Sequence, residues 1–335
     1  MRAIPPSALR RLPAPGPHGG DAAAVAAALG IEPRHVLDLS QSLNPVAPDP
    51  VPVLRRHLES VRRYPDPARA TAALAEAMGV DRARLLLTNG GAEAIGVVAD
   101  VLGGHVLEPE FSLHPRTGGP LWRSNPHNPS GRLAGDDEAA AVWDEAFYAL
   151  ATGRWTRGDA EAVVVGSLTK LLACPGLRVG YVLVPDGEGA TMDSFRRLQP
   201  AWSVNGIAAS ALPELLAGVD LSAWAARVGE LRDQLVAVLR GHGLEPRPSD
   251  ANWVLVEAPG LRARLAPHGI VVRDCTSFGL PGVARIAVPE PGGIARLDEA
   301  LSSIDGSGYR QALDVDPPER PASEVIVPTA KKGAT

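Results

Sequence analysis

Short apolar runs alternate with stretches of helical spacing along this chain, and glycine, proline and asparagine punctuate the boundaries. This is the pattern of an α/β protein built on a mostly parallel sheet. Leu85–Thr88 reads LLLT and residues 162–166 read AVVVG, runs short and apolar enough to be buried strands. Residues 105–107, 121–123 and 139–143 are further strand-length segments, and each hands on to a polar loop. Helical spacing covers Ala22–Leu29, where Asp21 can cap the first turn and Gly30 ends the last, then residues 53–61, 70–78 and 90–102. Beyond Tyr181 the pattern changes. Helical stretches at 207–216 and 223–241 precede three more strand-like runs, Trp253–Glu257, 269–273 and 284–288, which predict a second, smaller sheet followed by a helix at 297–304.

A chain of 335 residues can bury a sizeable core, and the change of pattern divides it. The expected units are a flexible N-terminal arm at 1–17, an arm at 18–45 that contributes to the small domain, a large domain at 46–205, a small C-terminal domain at 206–308 and a disordered tail at 309–335. A formal net charge of -5 speaks against nucleic acid or an anionic membrane surface as partner. Two cysteines, Cys174 and Cys275, make no disulfide framework, so a reducing compartment is the default. No run approaches the roughly 18–20 apolar residues of a membrane span, and prolines interrupt the N-terminal stretch where a signal peptide would carry its apolar centre. A soluble, cytoplasmic enzyme is the expectation, with no metal.

Chemistry enters at VVVGSLTKLLACPGLRVGY, residues 163–181. Of 33 lysine plus arginine residues only three are lysine, and Lys331 and Lys332 sit in the polar tail, so the body keeps Lys170 alone. Arginine supplies positive charge but stays protonated and cannot attack a carbonyl; a lone lysine in such a chain suggests an amine that must be deprotonated. Ser167, Thr169 and Lys170 follow a predicted strand, at the carboxyl end where open α/β sheets bind ligands, and Arg178 comes next between two glycines. The same stretch also fits a strand, a turn and two solvated charges. Cys174 is near enough to line a site, though a small buried filler is the plainer reading.

Other strand ends offer further groups. Leu85–Thr88 followed by Asn89-Gly90-Gly91-Ala92-Glu93 turns a strand into a helix N-terminus, whose N–H groups and dipole suit an anion, although any tight strand-to-helix turn favours glycine. Asp144 ends the run at 139–143 and, if buried, needs a positive partner. Asn128 can offer an amide from a loop locked by asparagine, proline and glycine. Tyr64, held between Arg63 and two prolines, can reach a site or can simply pack at a turn.

Taken in order, Tyr64, the Gly90-Gly91-Ala92-Glu93 turn, Phe111, Asn128, Asp144, Lys170, Arg178 and Arg285 form a set that resembles the fold-type-I pyridoxal-phosphate enzymes, the class I/II aminotransferase superfamily. Matching stretches include His18-Gly19-Gly20, Arg63-Tyr64-Pro65-Asp66, Asn125-Pro126-His127-Asn128-Pro129-Ser130-Gly131, Asp144-Glu145-Ala146-Phe147 and Ser167-Leu168-Thr169-Lys170. Trp202-Ser203-Val204-Asn205, Arg273-Asp274-Cys275 and Phe278-Gly279-Leu280-Pro281 continue them, so the resemblance spans about residues 18–305. Within the superfamily the chain looks closest to cobalamin-pathway threonine-phosphate decarboxylases and to histidinol-phosphate aminotransferases.

The resemblance implies pyridoxal 5'-phosphate as cofactor, carried by Lys170 as a Schiff base, with Asp144 on the pyridinium nitrogen, Asn128 on the ring oxygen and Phe111 on the ring face. It places the cofactor phosphate on the backbone of Gly91, Ala92 and Glu93 with Ser167 and Arg178, and brings Tyr64 from the second subunit of a homodimer. Arg285 would clamp the substrate carboxylate and Arg273 a substrate phosphate, so a phosphorylated amino acid or amine is the implied substrate. Three departures stand out. The stretches 111–125 and 131–144 are shorter than in typical relatives, which puts the full seven-stranded sheet in doubt, and Phe147 replaces a tyrosine common in aminotransferases. The Asp-Glu-Ala-Phe form also occurs among the decarboxylases. Decarboxylation of O-phospho-threonine is therefore the first expectation, amino transfer between histidinol phosphate and 2-oxoglutarate the alternative, and a cofactor-binding protein with little turnover the third.

Overall fold

The computed structural model describes residues 12–16 and 18–306; the rest of the expected N-terminal arm and the expected tail at 309–335 lie outside the described residues. In chain order the strands are β1 (Leu37–Asp38), β2 (Leu85–Thr88), β3 (His105–Val106), β4 (Leu121–Ser124), β5 (Val142–Asp144) and β6 (Val163–Ser167). There follow β7 (Gly180–Leu183), β8 (Trp253–Glu257), β9 (Ile270–Val271), β10 (Arg273–Asp274) and β11 (Val283–Ala287).

Six of these form the main sheet, in the order β2-β7-β6-β5-β4-β3. Strands β3 to β6 run parallel, and β7 lies antiparallel between β6 and β2. Buried strands need apolar residues on both faces, which is why β2, β5 and β7 are buried along their whole length and read as apolar runs rather than alternations. On one face, helices Gly90–Leu102 and Gly189–Leu198 pack Ile95, Val98, Met192 and Phe195 against Trp122, Val163 and Val165. On the other, helices Ala68–Met78 and Gly206–Ala217 set Leu74 and Leu212 against Leu87, Trp143 and Val164.

Register decides where chemistry collects. Ser124 lies beside Asp144 and Asp144 beside Val165, so β4, β5 and β6 finish together at one edge. Strand β4 leads to Asn128, β5 ends on Asp144, and β6 passes Ser167 into the single helical turn Leu168–Leu171 that carries Lys170. The second sheet, β10-β11-β8, is antiparallel and packs on helices Leu221–Gly241 and Pro291–Gly306 through Leu231, Leu235, Val254, Ile286 and Leu297. Strand β1 pairs in parallel with β9, which ties the segment around residues 37–38 to this C-terminal part.

The structure departs from the sequence pattern at several points, each with a local cause. Asp21 precedes helix Ala22–Leu29 but makes no side-chain cap bond; its carboxylate is turned to the guanidinium of Arg262 instead. The helical spacing at 53–61 becomes helix Val51–Arg56 and then a tighter turn, Leu58–Arg62, with Arg56 and His57 both drawn to Glu214. The run at 269–273 divides into β9 and β10 because its halves pair in different sheets. In the shortened stretches, among the described residues, the crossovers through 107–120 and 125–141 carry no helix, and the main sheet has six strands rather than seven.

Gly180 shows how tightly the site's floor is built. A Cβ there would lie 2.5 Å from the Gly90 carbonyl carbon, 2.6 Å from the Gly91 nitrogen and 2.8 Å from the Gly166 oxygen, so β7 can touch the helix N-terminus only as glycine. Gly180→Ala is expected to cost about 2 kcal/mol by overpacking, read as a lower urea midpoint with unchanged slope.

Candidate active site

A cavity of about 260 Å³ opens where the strand ends of the main sheet meet the second sheet, and Lys170, Asp144, Asn128, Ser167, Arg178, Arg273 and Arg285 all line it. Phe111, Gly91 and Ala92 complete its wall toward the helix N-terminus. Lys170 donates from Nζ to the Gln41 carbonyl at 3.0 Å and lies 6.0 Å from the centre of the Phe147 ring. Burial first, then repulsion by Arg285, Arg178 and Arg273, lowers its pKa to about 8. That is the deprotonatable amine which the scarcity of lysine suggested.

Asp144 has the partner a buried carboxylate requires, and it is a histidine. His114 Nε2 lies 3.0 Å from Asp144 Oδ2, and the Ala146 amide donates to Oδ1 at 3.0 Å. The His114 side chain is 0% exposed. Asn128 is fixed at both ends: its backbone N–H donates to Ser124 Oγ at 2.8 Å and its side-chain oxygen accepts from Arg285 Nη1 at 2.8 Å. The amide NH2 is left for a ligand. Phe111 meets the His114 ring edge-on, with centroids 5.6 Å apart.

Arg273 and Arg285 are directly opposite one another on β10 and β11 and both are buried, with Arg285 5.0 Å above the Trp253 ring and Arg273 4.6 Å above Phe278. Like charges in that position cost free energy unless an anion joins them. Burial, and then Arg273, makes protonation of Arg285 harder, and its buried Nε has no partner. Arg178 adopts a left-handed backbone (φ 57°) that lays its guanidinium over Gly90, where a Cβ would sit 2.4 Å from Nη2. Ser167 closes on Gly91, whose Cβ would be 3.3 Å from that of the serine. A small glycine-floored cradle at the start of helix Gly90–Leu102 is the result, with one guanidinium beside it.

Glu93 and Tyr64 do not line the cavity of their own chain. The Glu93 side chain turns back to accept from the Asn89 amide at 2.6 Å, so any part it has in holding an anion belongs to its backbone. Tyr64 is 78% exposed and stacks on Trp202 with centroids 4.6 Å apart, away from the cavity of its own chain. Cys174 is buried with its thiol pushed up to about 11 by desolvation, a core residue rather than a reactive one. His114, Glu110 and Gln41 escaped the sequence reading because they lie on irregular segments whose positions no periodicity reports. The spacing of Phe111 and His114, an aromatic and a buried imidazole three residues apart, was the one available signal.

Pyridoxal phosphate fits these residues. Its phosphate matches the glycine-floored cradle with Ser167 and Arg178, its carbonyl matches the desolvated Lys170 amine, and its ring nitrogen and oxygen match Asp144 and Asn128. Fold and site together define a fold-type-I pyridoxal-phosphate-dependent enzyme. The chain belongs to the aminotransferase class I and II family, whose model matches residues 119–304, more than half of the chain. Curated relatives are for the most part histidinol-phosphate aminotransferases; that of Halorubrum lacusprofundi is 26% identical, covering 84% of this chain and 93% of its own. The threonine-phosphate decarboxylase of Salmonella typhimurium is 28% identical over 86% of this chain and 96% of its own. Among solved structures, histidinol-phosphate aminotransferase from Sinorhizobium meliloti, in complex with pyridoxal-5'-phosphate, superposes with a TM-score of 0.70 at 17% identity, covering 91% of this chain and 98% of that one.

One buried acid next to the site has a calculable effect. Glu145 has Oε2 without a partner, and burial raises its pKa from 4.5 to about 7. Its carboxyl keeps a proton in the folded state that the unfolded chain releases, so the residue lowers stability progressively as pH rises from 4.5 to about 7. Glu145→Gln should therefore gain stability over the native chain across that window, by at most about 3 kcal/mol above pH 7, in paired urea titrations at pH 5 and 8. For Lys170, the rate of covalent capture of pyridoxal phosphate should rise with pH through about 8 rather than 10.5, as the amine loses its proton. After borohydride reduction, peptide mass spectrometry should place the adduct on Lys170 in the native chain and find none in the corresponding peptide of Lys170→Ala.

Proposed function

We propose that this protein is an aminotransferase that carries an amino group from a phosphorylated amine of the histidinol-phosphate type to 2-oxoglutarate. The observation that carries the reading is the opposed pair Arg273 and Arg285 in the cavity that holds Lys170. Two buried guanidinium groups suit a substrate with an anionic end, and the cradle at Arg178 already accounts for the cofactor's phosphate. Most curated relatives are named for this amino transfer, which supports it over decarboxylation.

When bound, pyridoxal phosphate supplies an electrophilic carbonyl and a conjugated ring that takes up the electron pair of the bond broken at the substrate's α-carbon. Lys170, with its pKa near 8, is free to take a proton from that carbon and to return one. Asp144, held by His114, keeps a proton at the ring nitrogen, and Asn128 donates to the ring oxygen. Arg285 and Arg273 orient the anionic ends of donor and acceptor, which sets the geometry of the reacting carbon. Tyr64 belongs to the proposal as well: exposed beside Trp202 in a single chain, it would complete a site in a homodimer.

Decarboxylation of O-phospho-threonine is the second reading, and Phe147 favours it. The Phe147 ring, 6.0 Å from the Lys170 amine, has no hydroxyl, as in the decarboxylase form of this motif. Incubation of the purified holoenzyme with histidinol phosphate plus 2-oxoglutarate, and separately with O-phospho-threonine, distinguishes the two. Glutamate formed in the first reaction without carbon dioxide in the second is expected; carbon dioxide without glutamate moves the assignment to the decarboxylase.

A further inference from the structure

Glu110 is 4% exposed, and it lies behind the ring-facing residues instead of among them. Its Oε1 accepts from the Phe111 amide at 2.8 Å and from the Ser124 hydroxyl, and its Oε2 accepts from the Ser124 amide at 2.8 Å. A neutral acceptor would satisfy much of this, whereas a buried carboxylate carries a desolvation cost that calls for a cation. Among the described residues, the ion pair found for Glu110 is with His114, whose Nδ1 lies 3.9 Å from Oε1 and has no hydrogen-bond partner. The opposite edge of the same imidazole meets Asp144 at 3.0 Å. One histidine is thus held between two carboxylates, the nearer of which lines the cavity.

The second connection runs through Ser124. Its hydroxyl donates to Glu110 and accepts from the Asn128 amide at 2.8 Å, so the residue that would meet the ring oxygen is anchored on the same carboxylate. The Phe111 backbone is anchored there too. Glu110 touches none of the cavity, yet three residues that do touch it are placed by its two oxygens.

We propose that Glu110 is a positioning residue for the cofactor ring: it holds His114 against Asp144 from behind and, through Ser124, sets Asn128. Glu110 faces the Nδ1 edge of the imidazole while Asp144 meets its Nε2 edge, so loss of the rear carboxylate frees the ring to turn away from Asp144. The inference rests on the cofactor assignment and is independent of which reaction follows.

The test uses holoenzyme loaded with pyridoxal phosphate labelled with 15N in the ring. In the native protein the ring-nitrogen resonance should lie at the protonated position. Glu110→Gln, nearly the same shape without the charge, should move that resonance toward the unprotonated position and weaken cofactor binding about tenfold in an absorbance titration. Ser124→Ala removes the hydroxyl that links Glu110 to Asn128 but keeps the Ser124 and Phe111 amide bonds to Glu110 and its contact with His114, so it should weaken binding while leaving the nitrogen resonance in place. His114→Asn should move the resonance as Glu110→Gln does, with no further movement in the double variant; this carries the test if the glutamate variant does not fold. A Glu110→Gln protein with native resonance and affinity, or one altered only in melting temperature, would overturn the proposal. Asp144→Asn is the control: if it also leaves the resonance unmoved, the assignment of Asp144 to the ring nitrogen fails instead.

Discussion

Lys170 is held where its own charge is disfavoured. Burial and three guanidinium groups act in the same direction on one amine, and the counter-charges are few: Asp144 is occupied with His114, and Asp38 acts against the shift only as the smallest of its five causes. Such an arrangement is unfavourable in isolation, so the fold must hold it rigidly. It does so by placing the lysine on a single helical turn directly after strand β6, buried through Gly166, with Gly180 and Gly166 letting β7 and Tyr181 close beneath it. An anionic ligand would relieve the repulsion.

The two sheets are joined through the site rather than merely beside it. Arg285, on the central strand of the second sheet, donates to Asn128, and Trp253 on β8 donates to the Pro129 carbonyl at 2.9 Å. Asn252 reaches the Ser42 carbonyl at 2.8 Å, binding the segment that also supplies the Gln41 contact to Lys170. Each contact uses a buried polar group that would be costly if left alone, so the cavity's walls are mutually dependent. A movement of the second sheet that carried Arg285 away would release Asn128 as well.

Much of this was legible in the residues. The scarcity of lysine pointed to Lys170, the Gly90-Gly91 turn to an anion cradle, and the end of an apolar run to a carboxylate at Asp144, because each signal is local to a strand end. The opposition of Arg273 and Arg285 was not legible: both were visible beside strands, but that they face each other depends on register between two strands joined by the irregular segment 275–282. The role of Asp21 was misread for a related reason, since a cap is a local preference and the Arg262 pair that displaced it is a tertiary contact. Likewise the run at 269–273 looked like one strand because apolar pattern records burial, while the division into two records which partners lie alongside.

Arg285 also bears on the choice between the two reactions. Its tether to Asn128 sets the guanidinium in a constant relation to the residue that would fix the cofactor's ring, so a carboxylate bound to it is itself fixed relative to the ring. Bond cleavage at the α-carbon favours the bond perpendicular to the ring plane, where the breaking electron pair overlaps the conjugated system. If Arg285 holds a substrate carboxylate near that plane, the bond to the carboxylate is protected and loss of a proton is favoured, which is the course of amino transfer. Histidinol phosphate has no carboxylate to lose; 2-oxoglutarate has one to offer Arg285. A decarboxylase on the same scaffold would instead have to turn the carboxylate out of the ring plane while Arg273 keeps the phosphate in both cases, so the contact on which the two activities would diverge is the one between Arg285 and the carboxylate.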